Sequence, residues 1–349
     1  MRKLRKKSGR SIRLYIYIAA IAVGVVLLSL LIFSKPTPVY SEKIFPSLGT
    51  VIRVNLAGDK VSSDVLINIA EKEFLRIHNK YSPNVQDSLV SILNQNGTVT
   101  VDEEALFLFQ SAYNYAALTG GAFDPTVRPL IKLWGFDDEF STKRVPTQEE
   151  INEALSYVDY RFIDIDKDNM QVSLLKEGVE VDLGAIAKGY AVDLVIQRIR
   201  EVDPKATGFI DAGGDIGIIG PKFKELAWVI GIRDPFSDEY FTSIDTIYLT
   251  NGGVATSGNY ERYFISDGIK YHHIIDPQTG YPATGAVSVT VISENVMIAD
   301  VFSTALFVLG YDNPALEHFT DFGIQALVIS PTGESTETSG FDYFREKIK

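Results

Sequence analysis

An uncharged apolar run of 20 residues near the N-terminus, from Leu14 to Phe33, limits the part of this chain that can fold as a globular domain. At a rise of 1.5 Å per residue, a helix of this length spans about 30 Å, the thickness of a membrane hydrocarbon core. The residues before it include seven Lys or Arg side chains and no acid. Because positive charge is retained on the cytoplasmic side, the pattern predicts a cytoplasmic N-terminus.

This pattern divides the chain into four parts. We expect a basic cytoplasmic tail (1–13), a transmembrane anchor (14–33), a linker with two prolines (34–41) and a folded domain (42–349). A cleaved signal peptide is the competing interpretation, but its apolar region would be unusually long and no A-x-A site comes after it. We therefore predict a single-pass protein of the cell membrane whose folded domain lies outside the cytoplasm.

The composition of the chain favours a globular domain with an acidic balance. Hydrophobic residues make up 46% of the chain and charged residues 22%, as in an ordinary folded protein. Subtracting the seven basic residues of the tail from 33 leaves 26 basic against 45 acidic side chains. We expect such a domain to repel nucleic acid, because binding to phosphate backbones requires a basic surface. The absence of cysteine excludes disulfides, thiolate nucleophiles and cysteine-ligated zinc.

Hydrophobic periodicity predicts clusters of strands and clusters of helices rather than strict alternation of the two. This arrangement indicates the α+β fold class, with a mixed, largely antiparallel sheet and packed helices. Five segments have helical spacing: 62–80, 103–119, 149–157, 185–201 and 296–309. Thr147 with Glu150 three residues later has the sequence of a capping box before the third of them. The sequence contains no dinucleotide-binding, P-loop or H-E-x-x-H motif.

Three glycine-containing motifs have both a structural and a functional interpretation. GGAFDPTV (120–127) ends a predicted helix, DLGAIAKGYAVD (182–193) begins one, and GGDI (213–216) comes after a predicted strand. Each is typical of an ordinary cap or turn, which is the favoured interpretation of any one of them alone. Each could also admit a ligand close to the backbone, and a helix start has the free N–H groups that bind anions.

Two further motifs carry side chains with reactive chemistry. HHIIDPQTGYP (272–282) places histidine near a carboxylate and a tight turn, which suits a general base near neutral pH. Its two adjacent histidines would point to opposite faces of a strand. In the last predicted helix Asp300, Ser303 and Thr304 share one face, at positions i, i+3 and i+4. Their oxygens suit Mg²⁺, and a polar stripe facing solvent is the structural alternative.

In this order the five motifs resemble those of the ApbE family of FAD:protein FMN transferases, over roughly residues 42–310. The resemblance implies an enzyme that takes FAD, attaches its FMN part to a threonine of a partner protein and releases AMP, with Mg²⁺ as cofactor. The partner would be an exported or membrane redox protein with a Ser/Thr-Gly-Ala-Thr-like motif. Two other functions stay open: an Mg²⁺-dependent FAD pyrophosphatase, and a non-catalytic flavin-binding surface protein.

The resemblance also implies roles for individual residues of this chain. His273 matches the catalytic histidine. Contacts to the flavin or to FAD are implied for Leu48, Ala122, Phe123, Asp124, Asp182, Lys188 and Ile275. A magnesium site is implied for Ala185, through its backbone carbonyl, and for Asp300, Ser303 and Thr304. The chain departs from some members at Asn84, where they have an aromatic residue, and at Ser303, where they have an acid.

Overall fold

The computed structural model describes residues 15–20, 22–24, 38–138, 140–239 and 242–346. The first two of these segments are helical. The rest of the predicted anchor, the basic tail and most of the predicted linker lie outside the described residues. In the part of the chain that is described, no helix combines the length and the apolar character needed to cross a membrane. Residues Tyr40–Lys349 form one compact unit.

The strands of this unit form one large antiparallel sheet and three small ones. Within the described ranges they are β1 (Ser41–Ser47), β2 (Thr50–Ala57), β3 (Thr98–Thr100), β4 (Ile163–Asp166), β5 (Gln171–Leu174), β6 (Thr207–Ala212), β7 (Ile216–Gly220), β8 (Trp228–Arg233), β9 (Ser243–Leu249), β10 (Gly253–Gly258), β11 (Tyr263–Ser266), β12 (Ile269–His272), β13 (Ser288–Ser293), β14 (Ile324–Ile329) and β15 (Ser335–Glu337). The large sheet has the order β1-β2-β6-β7-β10-β13-β14-β15, and all its neighbouring strands are antiparallel. The predicted α+β class with a largely antiparallel sheet is confirmed.

The α-helices of the unit include the five that periodicity predicts, with ends shifted by at most two residues. Those described are α1 (Ser63–Tyr81), α2 (Leu89–Asn96), α3 (Glu103–Leu118), α4 (Arg128–Leu133), α5 (Gln148–Leu155), α6 (Gly184–Val202) and α7 (Val296–Leu309). The short helices α2 and α4 are additional to the prediction. The capping box before α5 is present, since Thr147 and Glu150 each accept a bond from the other's backbone N–H.

The large sheet has a core on each face. Residues alternate between faces along a strand, so Ile52 and Val54 of β2 are fully buried while Arg53 between them is exposed. The central strand β13 is buried at all six positions. Its Val291 packs in the core that includes residues of α7, and its neighbour Ile292 packs in the core on the opposite face. Burial on both faces gives the sheet a rigid centre.

Helices α6 and α7 cross at Gly189, and this crossing positions polar side chains of both helices. A Cβ atom on Gly189 would lie 2.5 Å from the carbonyl oxygen of Val296, so only glycine permits this approach. Four residues further along α6, the Asp193 carboxylate accepts bonds from the N–H groups of Val296 and Met297, both at 2.9 Å. Asp193 therefore caps α7 from a neighbouring helix, since the N-cap residue Asn295 makes no side-chain cap bond.

Candidate functional site

A cavity of about 380 Å³ is lined by the β1–β2 turn, the start of α6, the end of β10 and one face of α7. Of the twelve residues with predicted roles, all of them in the described part of the chain, eleven line this cavity: Leu48, Ala122, Phe123, Asp124, Asp182, Ala185, Lys188, His273, Ile275, Asp300 and Thr304. Ser303 does not line it, because its side chain is buried within the fold. The structure thus brings together residues that are widely separated in sequence.

The turn that carries Leu48 has a strained backbone. Leu48 and Gly49 connect the paired strands β1 and β2, with φ of 52° and 71°. Positive φ at both central residues is the type I′ geometry of two-residue hairpins. Glycine adopts it freely, whereas in a leucine it costs roughly 1–2 kcal/mol. The strained turn places an apolar side chain at the cavity. Strained residues are frequent at ligand sites.

The loop after α3 is held by the carboxylate of Asp124. Its Oδ1 accepts bonds from the Thr126 amide at 2.8 Å and hydroxyl at 2.6 Å, and its Oδ2 accepts one from the Tyr160 amide at 2.9 Å. Burial raises the pKa of Asp124 to about 6, although these hydrogen bonds oppose the shift. The carboxylate is occupied in fixing the loop, and this positions Ala122 and Phe123, both 3% exposed, at the cavity.

Asp182 lies at the start of α6, where it connects two parts of the site. Its Oδ1 accepts a bond from the Gly184 amide at 2.7 Å, and its Oδ2 accepts one from Arg128 at 3.2 Å. The same guanidinium donates to Asn84 at 2.8 Å, and Asn84 donates to the Asp137 carbonyl at 2.8 Å. Asn84 therefore lines the cavity as part of a hydrogen-bonded chain rather than as a stacking surface.

A buried ion-pair cluster forms the floor of the cavity. Lys188 Nζ lies 2.9 Å from Asp300 Oδ1 and 2.9 Å from Asp215 Oδ2, and the two carboxylate side chains are only 3% and 4% exposed. Burial lowers the pKa of Lys188, but the two carboxylates raise it more, so it stands above its ordinary value. Burial and then repulsion from Asp300 raise the pKa of Asp215 above its ordinary value, against the attraction of Lys188.

The first turn of α6 is distorted at Ala185. Its φ and ψ, −91° and 15°, depart from helical values. In a regular helix the N–H of Gly189 would point at the Ala185 carbonyl, but here it donates to Asp300 Oδ2 at 3.1 Å. The Gly189 amide thus bonds to Asp300, and the Ala185 carbonyl oxygen is a candidate oxygen ligand at the cavity.

Hydroxyl groups of α7 and β10 meet beside this cluster. Ser257 Oγ lies 2.9 Å from Ser303 Oγ and 3.4 Å from Thr304 Oγ1. Ser303 Oγ also donates to the backbone carbonyl of Asp300 at 2.9 Å. Thr304 and Ser257 line the cavity, whereas Ser303 bonds behind them.

The two adjacent histidines have different surroundings, although His273 lies beyond the end of the strand on which the sequence predicts both. His272 ends β12 and is 5% exposed; its Nε2 lies 2.9 Å from the Ala283 carbonyl, and its Nδ1 accepts a bond from the Ile274 amide at 3.3 Å. Both ring nitrogens are thus used within the fold. Burial lowers the pKa of His272 to about 4, although the bond to Ala283 opposes the shift.

His273 comes directly after β12 and lines the cavity. Its Nδ1 lies 3.3 Å from the Arg262 carbonyl oxygen, which also accepts a bond from the His273 amide at 3.1 Å. A carbonyl only accepts, so Nδ1 carries the ring proton and Nε2 has a free lone pair. Burial, and then the charge of Arg262, lower the pKa of His273 to about 3, which keeps the ring neutral. The next carboxylate, Asp276, holds the turn by accepting bonds from Gln278 and Thr279 and is not the partner of the histidine.

Among the lining residues that were not predicted for the site, three have polar side chains on which its geometry depends: Asp215, Ser257 and Arg262. Asp215 lies in the GGDI motif, which the sequence analysis interprets as a turn or as a place of close ligand approach, with no role for the carboxylate. Ser257 and Arg262 lie at and after the end of β10, in the sequence TSGNYER. The sequence signal for Ser257 and Arg262 is a short run of small polar residues at the end of a strand. These residues belong to the site because α7 lies next to the strand, and the sequence does not show that.

The oxygen atoms at the cavity floor could act as ligands for Mg²⁺. Among the described residues, no group of three or more His, Cys, Asp or Glu side chains could hold a metal. The oxygens of the predicted site residues there are the Asp300 carboxylate, the Thr304 hydroxyl and the Ala185 carbonyl, and the Asp215 carboxylate and the Ser257 hydroxyl lie beside them. Mg²⁺ takes oxygen ligands, often from one or two carboxylates, and completes its coordination with waters and substrate phosphates. These residues therefore fit an ion that binds together with a phosphate ligand.

Known proteins resemble this chain along most of its length. The model of the ApbE family matches residues 48–328. A relative from Treponema pallidum, called FAD:protein FMN transferase, is 33% identical over 314 residues, which are 84% of this chain and 85% of the relative. A relative of the same name from Haemophilus influenzae is 31% identical over 339 residues, 94% of this chain and 97% of the relative.

Solved structures match the fold as well. The ApbE protein of Thermotoga maritima superposes with a TM-score of 0.84 at 44% sequence identity, covering 88% of this chain and all of that one. The flavin transferase ApbE of Vibrio cholerae superposes with a TM-score of 0.77 at 29% identity, covering 88% of this chain and 99% of that one. The family, the relatives and the structures agree with the motifs, and this chain belongs to the ApbE family.

Proposed function

We propose that this chain is an Mg²⁺-dependent FAD:protein FMN transferase, which joins the FMN part of FAD to a threonine of an acceptor protein and releases AMP. One observation carries the proposal: a single cavity is lined by a neutral histidine with a free Nε2 and by the oxygen atoms of the buried Asp300 and the half-buried Thr304. Membership of a family whose relatives are named FAD:protein FMN transferases supports it.

The cavity offers separate surroundings for the two ends of the proposed substrate. Leu48, Ala122, Phe123 and Ile275 form an apolar wall suited to a flavin ring. The positive end of the α6 dipole and the charge of Lys188 at the cavity suit phosphate groups. Because the Asp124 carboxylate is saturated by its own loop, we expect that residue to contribute through its backbone and by fixing its neighbours.

Asp300, Thr304 and the Ala185 carbonyl would hold Mg²⁺. When bound there, the ion supplies positive charge that offsets the phosphates and polarises the phosphorus under attack. The Lys188 ammonium at the cavity floor is already shared between Asp215 and Asp300. A divalent cation would therefore supply the charge that balances an anionic substrate in this acidic domain.

His273 acts as the general base in this proposal. Its Nε2 takes the proton of the acceptor threonine hydroxyl while the threonine oxygen forms a bond to the phosphorus on the FMN side. The bond between that phosphorus and the bridging oxygen breaks, and AMP leaves with the electron pair. Meanwhile the Nδ1–H···O=C bond to Arg262 fixes the ring and stabilises the positive charge that develops on it.

The experiment is incubation of the purified chain with FAD, Mg²⁺ and an acceptor protein that has a Ser/Thr-Gly-Ala-Thr-like motif. We expect intact mass to show one FMN added to the acceptor threonine, with AMP released in equal amount. Asp300→Ala and Thr304→Ala should abolish the reaction at limiting Mg²⁺. Thr290→Val, which removes a buried hydroxyl outside the cavity, is the matched control and should be unaffected.

Two results would replace the proposal with one of the other functions. AMP and FMN released equally with and without acceptor, with the acceptor unmodified, would indicate an FAD pyrophosphatase. Tight FAD binding with no AMP release in saturating Mg²⁺ would indicate a flavin-binding protein without this activity.

We also propose that the folded domain lies outside the cytoplasm, attached to the cell membrane by residues 14–33. The uncharged run behind seven cations supports this placement. Protease added to intact cells should degrade the domain, and without protease the domain should stay in the membrane fraction. Recovery of a soluble mature protein that lacks the residues before Glu42 would indicate a cleaved signal peptide instead.

A further inference from the structure

The hydroxyl groups beside Asp300 have a defined direction of hydrogen bonding. Ser303 Oγ lies 2.9 Å from the Asp300 backbone carbonyl, which can only accept, so the Ser303 hydroxyl proton points there. A hydroxyl has one proton, and Ser303 must therefore accept in its 2.9 Å bond with Ser257. The proton of Ser257 is thereby committed to Ser303. The 3.4 Å contact between Ser257 and Thr304 is longer than an ordinary O–H···O bond, and of the two hydroxyls only that of Thr304 has a proton left to donate in it.

This direction determines which part of the Thr304 hydroxyl faces the cavity. Its proton points away, toward Ser257 on β10, and its lone pairs are left for the cavity that both residues line. A hydroxyl that binds a cation does so through an oxygen lone pair with its proton turned away. The chain of bonds from Thr304 through Ser257 and Ser303 to the Asp300 carbonyl therefore prearranges Thr304 as a cation ligand.

We infer that Ser257 is a positioning residue for the magnesium site, which acts by orienting the Thr304 hydroxyl and makes no bond to the ion itself. Ser303, 1% exposed, has the supporting role of fixing the proton of Ser257. The inference rests on the proposed function, because it assumes that Thr304 binds Mg²⁺. It gives Ser303 a role behind the site rather than in contact with the ion.

Partners that orient metal ligands typically contribute 10- to 100-fold to metal affinity. Ser257→Ala should therefore raise the Kd for Mg²⁺, measured by calorimetry on the full chain, by about 10-fold or more. Ser257→Thr keeps the hydroxyl and should restore affinity to within about threefold. Thr290→Val removes the 3.0 Å hydroxyl bond to Thr256, the residue before Ser257, without removing a member of the chain of bonds to Thr304, and should leave the Kd unchanged. The melting temperature without metal should be similar in all four proteins.

A double substitution tests the chain of bonds itself. If Ser303 acts only through Ser257, the Kd of Ser257→Ala/Ser303→Ala should equal that of Ser257→Ala, since the second change removes nothing further. A much weaker double variant would instead make Ser303 an independent ligand and overturn the inference. So would an unchanged Kd in Ser257→Ala, or an equal loss of FAD affinity measured without Mg²⁺, which would make Ser257 a direct substrate contact.

Failure of the proposed function gives a different result. In that case the wild-type chain transfers no FMN to any acceptor, while Ser257→Ala still binds Mg²⁺ more weakly than wild type. If transfer does occur, excess Mg²⁺ should restore the rate of Ser257→Ala, because the substitution weakens metal binding and leaves His273 in place.

Discussion

Lys188 donates to both carboxylate oxygens of Asp300, at 2.9 and 3.1 Å, while it also lies 2.9 Å from Asp215. One ammonium group thus serves two carboxylates that are withdrawn from water. The arrangement depends on α6, which supplies the lysine, and α7, which supplies Asp300. The same ion pair therefore stabilises the crossing of α6 and α7 and sets the charge at the candidate magnesium site.

Replacing Lys188 by methionine should destabilise the fold. The substitution keeps most of the side-chain volume but leaves two buried carboxylates without their cation, which costs on the order of 3 kcal/mol. Urea denaturation measures the loss. Lys132→Met is the matched control, because Lys132 pairs with Glu180 at 2.8 Å but is 46% exposed, and it should change stability by less than about 1 kcal/mol. Equal stability of Lys188→Met and wild type would show that the cluster is not needed for folding.

A Cβ atom at Gly189 should affect both the fold and the metal site. In Gly189→Ala the new atom would lie 2.5 Å from the Val296 carbonyl oxygen and 2.7 Å from the Met297 Cα, so α7 must move. We expect a loss of about 1–3 kcal/mol and a weaker affinity for Mg²⁺, because Asp300 moves with the helix. Ala191→Gly in the same helix should cost about 1 kcal/mol through helix propensity but leave Mg²⁺ affinity unchanged. Similar metal affinity in the two variants would contradict the coupling.

His272 should make stability fall in acid. Its pKa is about 4 in the fold against an ordinary value of 6.5, so between these values the unfolded chain binds the proton and the folded chain does not. Stability is therefore fully present above pH 6.5 and decreases as the pH falls toward 4. The difference amounts to roughly 2 kcal/mol between pH 7 and pH 5. His272→Gln, which lacks this titration, should lose about 2 kcal/mol less than wild type over that range in denaturant titrations. Parallel losses would show that His272 is not the responsible group.

Helix geometry explains how much of the site could be predicted from sequence. The spacing of Asp300, Ser303 and Thr304 indicates a shared face, and the structure confirms the helix with the same bounds. Around the helix axis, however, Ser303 lies about 60° to one side of Asp300 and Thr304 about 40° to the other. Thr304 therefore faces the cavity, and Ser303 faces β10. The position of β10 relative to the helix decides which of the two residues faces the cavity.

Other features depend on contacts that no local pattern contains. Helix α4 has only six residues, too few for a helical period, although Pro129 in its first turn is a start signal. Helix α2 has a recognisable Ser88 N-cap and Gly97 C-cap, but its eight residues carry a short pattern. Asp215 and Ser257 become important because strands β7 and β10 pack beside α6 and α7. Their positions depend on sheet order, which the sequence does not specify.

His273 should be needed for the rate of transfer and not for binding. Above its pKa of about 3 the ring is neutral, so the base should be available throughout the range near neutral pH, and kcat/KM should show no acid limb from this group down to about pH 5. His273→Ala should bind FAD and Mg²⁺ nearly as wild type but transfer FMN at least about 100-fold more slowly. Single-turnover transfer, monitored by intact mass of the acceptor, measures the rate separately from binding.

His272→Gln is the control for His273→Ala, since His272 uses both ring nitrogens within the fold and does not line the cavity. At neutral pH the folded fraction of His272→Gln should retain transfer within a few-fold of wild type. Full transfer by His273→Ala would mean that the threonine hydroxyl loses its proton without a histidine base, with the magnesium site alone activating it. Loss of transfer in His272→Gln but not in His273→Ala would require the other imidazole to face the substrate. The geometry argues against that outcome, because the Ala283 carbonyl and the Ile274 amide leave His272 no free nitrogen.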